Sequence, residues 1–465
     1  MEFTAVILCG KGKELSPFSL SSRSTGFPKA ILPIANKPMI EYVIEWCFKG
    51  FFAKILLVTY DNEENSINEW LNKYKKQMEL NQEYSPSIDI LTISNSNSDE
   101  SGAILYHIYQ IQPTLDNFIL LPCDFITNLP PQVLIESYRN KNENDLGILF
   151  HYRNTLDLED KVKSKMFNKN YTIYSEIEPD YYNLLDIYSK VEIEKFHKNL
   201  KIRSHMLWRY PNTLISCKLL NSNIFIGSNE IFNIFQMEGD KYNETYFKYR
   251  PITKIIRDLA RRSWSHSKAK ETIGFQIIPK EASFLRANNL PVLMEANRYF
   301  MKQQKTNRQQ EKGSHISSDS IIGNNTTFGE KTNVKKSVIG DNCIIGKKVK
   351  INGCLIFNNV VIKDDIQLEN CIIGSNVIVN NKSKLVNCNV ENENEVIEGT
   401  QSKGDTLLCL TLENLKTNED NVDTTDGDVL YSEHESESDD DSEEESDEEE
   451  YHDEFTGNED GLFAY

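Results

Sequence analysis

Residues 322–396 read IGNNTTFGEKTNVKKSVIGDNCIIGKKVKINGCLIFNNVVIKDDIQLENCIIGSNVIVNNKSKLVNCNVENENEV. Steps of six, six and five residues from Ile322 land on Phe328, Val334, Ile339, Ile345, Ile351, Ile356, Ile362, Leu368, Ile373, Val379, Leu385, Val390 and Val396, and every one is large and apolar. In a chain that is 39% hydrophobic, fourteen such hits arise by chance about twice in a million trials. The exact period is 17, so Ile322, Ile339, Ile356, Ile373 and Val390 stack, as do Val334, Ile351, Leu368 and Leu385. Three corners per turn, with glycine at Gly323, Gly340, Gly346 and Gly374, predict a parallel β-helix. Cys354, Cys371 and Cys388 recur at the same period. Metal ligands must converge on a point, whereas this spacing makes a ladder along the axis, so the thiols read as small buried hydrophobes.

Upstream the pattern changes. Residues 4–9 (TAVILC), 54–59 (KILLVT) and 118–122 (FILLP) are short, continuous apolar runs separated by helical spacing such as IEYVIEWCFKGF. Such strands imply a parallel sheet covered on both faces, with ligands at the carboxyl ends of the strands. Gly10, Gly12 and Asp124 fall there. The expected organisation is an α/β domain over 1–300, a linker over 301–315, a β-helix over 316–405 and a disordered acidic tail over 406–465.

Charge separates the tail from the rest. The 465 residues carry 70 Asp/Glu against 51 Lys/Arg, a net of -19, but residues 419–465 alone hold 22 acids and no base. Residues 1–418 are left at +3. The low isoelectric point is therefore a property of the tail, and a globally basic nucleic-acid binder is excluded. No run approaches the ~18 apolar residues of a membrane span. The start, MEFTAVILCGKGKEL, lacks the marks of a signal peptide. Nine cysteines without a C-x-x-C pair point to reduced thiols. A cytosolic protein is expected.

A glycine loop after a first strand, then PKAILPIANKP, then a terminal β-helix resembles the sugar-nucleotide pyrophosphorylases. Within that group the chain is similar to the gamma-type subunits of eukaryotic translation initiation factor 2B, in their fungal form. The stretches carrying the likeness are CGKGKELSPF, FPKAILPIANKPMIEYVIEWC, LLPCDFITNLPPQVL, IRSHMLWRYPNTLISCKLLNSNIF, IRDLARRSWSHSK, FLRANNLPVLMEANR, the β-helix, and the acidic tail ending DGLFAY. The resemblance implies a Rossmann-like nucleotidyltransferase fold followed by a left-handed β-helix of hexapeptides.

Nucleotidyl transfer asks for a phosphate-cradling loop, a cation on the transferred group and two carboxylates on Mg²⁺. By resemblance the loop should run G-x-G-T-R-L, its Arg clamping the triphosphate. Here Gly10-Lys11-Gly12-Lys13-Glu14-Leu15 is one residue short and places Glu14 at the Arg. Lys29 matches the family's Lys and Asp124 its first metal ligand. Counting back from Glu295-Ala296-Asn297-Arg298 places Arg286 at the second. Gly10, Gly12, Glu14, Lys29, Asp124 and Arg286 are thus expected to form a vestigial nucleotide pocket with no catalytic residue, metal or cofactor. Lys29 reads equally as a solvated loop cation, and Asp124 as a turn cap or as an ion-pair partner of Arg286.

Three functions compete. The resemblance implies a non-catalytic regulatory subunit that pairs with the epsilon subunit and the other subunits of factor 2B to promote GDP-to-GTP exchange on initiation factor 2, whether GDP-bound or nucleotide-free, with no direct contact to nucleic acid or membrane. An active mannose-1-phosphate guanylyltransferase is the alternative, opposed by Glu14 and Arg286. A β-helix acyltransferase needs a His projecting from a coil, and none of the eight His is expected within the coils. The basic amphipathic stretch 253–268 (TKIIRDLARRSWSHSK) offers Arg257, Arg261, Arg262 and Trp264 as a candidate partner surface, with a solvated helix face as the plainer reading. Ser436, Ser438, Ser442 and Ser446 lie among acids, a context for phosphorylation or simply for a solubilising tail.

Overall fold

The structure is a computed structural model that describes residues 3–50, 52–81, 87–93, 100–111, 117–154, 156, 167, 170–195, 199–200, 202–265, 270–303 and 315–409. Most of the expected linker, the expected tail from residue 410 on with its serines, and residues 266–269 at the end of the basic stretch lie outside that set, while Thr406–Leu407, expected in the tail, pairs with Asn389–Val390 as a further strand of the β-helix.

The first strand, Phe3–Leu8, buries Phe3, Ala5, Val6 and Ile7 inside a ten-stranded sheet. Phe3–Leu8 pairs in parallel with Lys54–Tyr60 on one side and Asn117–Pro122 on the other, and Lys54–Tyr60 pairs in parallel with Ser87–Ile93. Beyond Asn117–Pro122 the expected all-parallel arrangement ends. Leu219–Ser228 runs antiparallel to both Asn117–Pro122 and Asp145–Arg153, and the hairpin Asn170–Glu178/Tyr181–Ser189 and the edge strand Thr213–Ser216 continue antiparallel. A run buried on both faces reads alike whichever way its neighbour points, so periodicity does not carry strand direction. Helices cover both faces. Met39–Lys49 inserts Ile40, Val43 and Ile44 into one core. Ser101–Ile111 and Ile252–Ser265 insert Ile104, Ile108, Ile255 and Leu259 into the other.

The C-terminal strands form the parallel β-helix. Three sheets of six, six and five two- or three-residue strands stack one coil upon the next. Ile322, Ile339, Ile356, Ile373 and Val390 are register partners, as the 17-residue period requires. Of the fourteen positions, thirteen are buried and Phe328, near the open end, is partly covered. The corners demand a left-handed backbone, supplied by Asn342, Asn359 and Asn376 at φ 57°, 59° and 60°, a conformation Asn tolerates better than most residues. The helix also extends one rung earlier than the apolar pattern. His315–Ile316 pairs with Asn333–Lys335, so His315 does lie within the coils. It is an exposed strand residue at the terminal rung rather than a side chain on a loop between coils.

One face of the β-helix packs on the α/β domain. Val338, Leu355, Phe357 and Ile372 join Leu15, Phe18, Leu32 and Ile34 of the N-terminal loop and Leu293 and Ala296 of the Leu290–Gln303 helix in a single core. Phe18 meets Phe357 edge-on, with ring centroids 5.5 Å apart. A polar latch closes the seam. The buried Glu391 carboxylate accepts from Arg23 Nε at 2.8 Å and Nη2 at 3.2 Å, from Thr25 Oγ1 at 2.7 Å and from the Cys409 amide at 2.6 Å. No helix among the described residues is long and apolar enough to cross a membrane.

Candidate functional site

The carboxyl ends of Phe3–Leu8 and Asn117–Pro122 deliver the glycine loop and Asp124 to one place. Gly12 adopts φ 70°, and a Cβ there would sit 3.0 Å from the Lys29 Cβ, so the left-handed turn and the close approach of Lys29 both require glycine. Lys29, 5% exposed, crosses beneath the loop and donates from Nζ to Asp124 Oδ2 at 2.6 Å and to Asn288 Oδ1. From the other side the Phe284–Arg286 strand, which pairs with Phe125–Thr127, brings in Arg286. Its Nε and Nη2 donate to Asp124 Oδ1 and Oδ2, each at 3.0 Å.

The result is one fully buried carboxylate held between two cations. Burial alone pushes the Asp124 carboxyl up, but Arg286 and then Lys29 outweigh it and hold it well below the usual carboxylate range. A divalent cation does not fit this arrangement. Both Asp124 oxygens are already bonded to cations, the Arg286 guanidinium lies against the carboxylate, and no group of three metal-ligating side chains occurs among the described residues. Glu14 lines the adjoining cavity of about 330 Å³ together with Arg286, Asn288, Tyr152, Asn221 and Lys254. A carboxylate in that wall repels an anionic phosphate rather than binding it.

Sequence reading brought Gly10, Gly12, Glu14, Lys29, Asp124 and Arg286 to one neighbourhood, and the structure places all six around the loop and its cavity. It missed Asn288, the second acceptor for Lys29, although Asn288 lies two residues past Arg286 in FLRANN. It also missed Glu63, 1% exposed, whose Oε2 has no hydrogen-bond partner. Burial and then the Cys123 thiol raise the Glu63 carboxyl to about 8, against the opposing pull of Lys11 and Lys29. No spacing signal marks Glu63, because Lys11, Lys29 and Cys123, which act on it, come from distant parts of the chain.

The expected partner surface at Arg257, Arg261, Arg262 and Trp264 is corrected. Trp264 is 5% exposed and donates from Nε1 to the Leu185 carbonyl at 2.9 Å. Arg257 donates to Glu192 at 3.0 Å, Arg261 to both Asp186 oxygens at 3.2 Å, and Arg262 to Glu238 at 2.5 Å and Glu271 at 3.1 Å. These cations tie the helix to its own domain. Apart from Asp258 beside Arg257, the carboxylates lie outside the helix, so the helix read alone looks predominantly basic.

Comparison with known proteins agrees with this layout. The family described as Nucleotidyl transferase matches residues 4–158, and that described as EIF2B subunit epsilon LbH domain matches residues 297–401. Translation initiation factor eIF2B subunit gamma of Schizosaccharomyces pombe is 27% identical over 362 residues, covering 72% of this chain and 73% of the relative. This chain is related to eIF2B gamma. The epsilon subunit of the same factor and organism is 25% identical over 118 residues, which covers 25% of this chain and 16% of that relative. Among solved structures, a UDP-glucose pyrophosphorylase complexed with UDP-glucose is similar at 16% identity and a TM-score of 0.43, covering 65% of this chain and all of that one. The two matched families thus fall on the α/β domain and on the coils.

Proposed function

We propose that this chain is a non-catalytic subunit of an initiation factor 2B assembly, built on a nucleotidyltransferase fold that has lost its transfer chemistry. The observation carrying the loss is the Lys29–Asp124–Arg286 group. Where transfer would need Mg²⁺ between two carboxylates, this site supplies its own two cations to one. The similarity to eIF2B gamma supports the assembly, and with it pairing with an epsilon-type subunit, residence in the cytosol and promotion of GDP-to-GTP exchange on initiation factor 2. Exchange requires an assembly that binds the nucleotide-free partner more tightly than the nucleotide-bound one. In this reading the chain contributes binding surface and a rigid frame to that difference.

The match to the nucleotidyl transferase family over residues 4–158 favours a second reading, an active guanylyltransferase, and one assay separates the two. Purified protein is incubated with GDP-mannose, pyrophosphate and Mg²⁺, and GTP formation is followed. The proposal expects none above a protein-free blank. Turnover that is lost in Asp124→Asn would establish the enzyme instead.

A further inference from the structure

We propose that the open edge of the ten-stranded sheet, with the helix beside it, takes an extended acidic segment of another protein as an added strand. Thr213–Ser216 closes the strand order and pairs only with Asn170–Glu178, so among the described residues no strand lies on its outer side. An edge presents a row of backbone donors and acceptors that can extend the sheet, and proteins commonly blunt it with charged side chains. This edge is not blunted that way. Leu214 and Ile215, one on each face, are both 46% exposed.

The neighbouring helix enlarges the apolar surface. Ser204–Arg209 anchors through Met206, in one core with Ile173, and Ile173 is the register partner of Ile215. From the same helix Leu207 stands 43% and Trp208 81% exposed. Charge specifies the occupant further. Residues 195–229 contain six Lys/Arg and no Asp or Glu, and Arg203 and Lys218 are exposed on either side of the apolar surface. The exposed Glu176 and Glu178 lie beyond the Thr213 end of the pairing, so the acidic residues of an added strand belong at the Ser216 end and over the helix. An exposed Trp beside cations also suits single-stranded nucleic acid. A backbone edge carrying two aliphatic side chains on opposite faces favours strand addition, in which main-chain hydrogen bonds give affinity and alternate side chains give specificity.

The test uses the full chain and a synthetic peptide of about ten residues, near the upper length of ordinary strands, with Val and Leu in the half that would lie along Thr213–Ser216 and Glu in the half that would lie beyond Ser216. Polyglutamate of equal length and oligouridylate serve as competitors. Trp208, 81% exposed, is the reporter, since Trp46 and Trp264 are each only 5% exposed and Trp70 is partly buried against a core that lacks the residues of this edge. The proposal predicts a blue-shifted emission that is absent in Trp208→Phe, and slowed amide exchange over residues 213–216. It also predicts about tenfold weaker binding in Leu214→Ser/Ile215→Ser and in Lys218→Glu, all at exposed positions, with unchanged far-UV circular dichroism. Unprotected amides at 213–216, equal binding of polyglutamate, or preference for oligouridylate would each overturn it.

Discussion

Asp124 is a single carboxylate whose two oxygens are shared between Arg286 and Lys29, with Asp124 and Lys29 buried and Arg286 partly so. Such a group adds little net stability as a unit, but removing one partner leaves an uncompensated charge in the interior. Asp124→Asn should therefore cost about 3–5 kcal/mol, seen as a lower urea midpoint with an unchanged slope. Because Asp124 is held below its ordinary range, its stabilisation is fully present above about pH 4 and fades as pH falls below the unfolded value. The acid limb of the stability curve should be correspondingly flatter in the variant. Glu63 acts in the opposite sense. Its carboxyl is raised to about 8, so the folded protein binds the extra proton between pH ~4.3 and 8 and loses up to about 1.4 kcal/mol per pH unit as pH rises through that window. Glu63→Gln should abolish that slope, giving a higher Tm than wild type at pH 8 and a similar one at pH 4.5. A variant that follows the wild-type curve would show that Glu63 ionises normally in the folded chain.

At the scale of elements, the β-helix was the most legible part of the chain, because a strictly periodic fold writes its period into the sequence. Ile345 was placed inside by counting, and it is 2% exposed. Ile345→Asp should bury an unpaired charge, cost more than about 4 kcal/mol and sharply lower the soluble yield; wild-type yield and melting would refute its inward placement. The docking of the helix was less legible. Phe18, Arg23 and Thr25 sit in a Ser-rich stretch with no periodicity, and only the fold brings them to Phe357 and Glu391. That seam bears on how the coils are held. With Val338, Leu355, Phe357 and Ile372 covered by the first domain, the fragment 314–404 alone would expose an apolar face. It should fail to melt cooperatively as a soluble monomer, which calorimetry with sedimentation would reveal. The basic helix shows the converse limit. Arg261 and Arg262 are internal because Asp186, Glu238 and Glu271 come to meet them, and no pattern within residues 253–268 could announce that.

For the whole molecule, the pattern of retained and altered residues makes a consistent account. The frame of a nucleotidyltransferase is kept: the parallel core strands, the Gly12 turn, Lys29 and Asp124. Arg286 and Lys29 surround the Asp124 carboxylate with positive charge, and Glu14 lines the adjoining cavity. The Asp124–Arg286 ion pair was among the readings open from sequence, whereas Glu63 and Asn288 needed the fold. A first domain locked to a β-helix by an apolar seam and the Glu391 latch suits a rigid assembly element better than an enzyme that must open and close around substrate. Native mass spectrometry of the affinity-tagged protein from its own cells tests this most directly. The account predicts stoichiometric recovery in a large hetero-oligomer that contains an epsilon-type subunit and associates with initiation factor 2. Recovery as a homo-oligomer without those partners would contradict it.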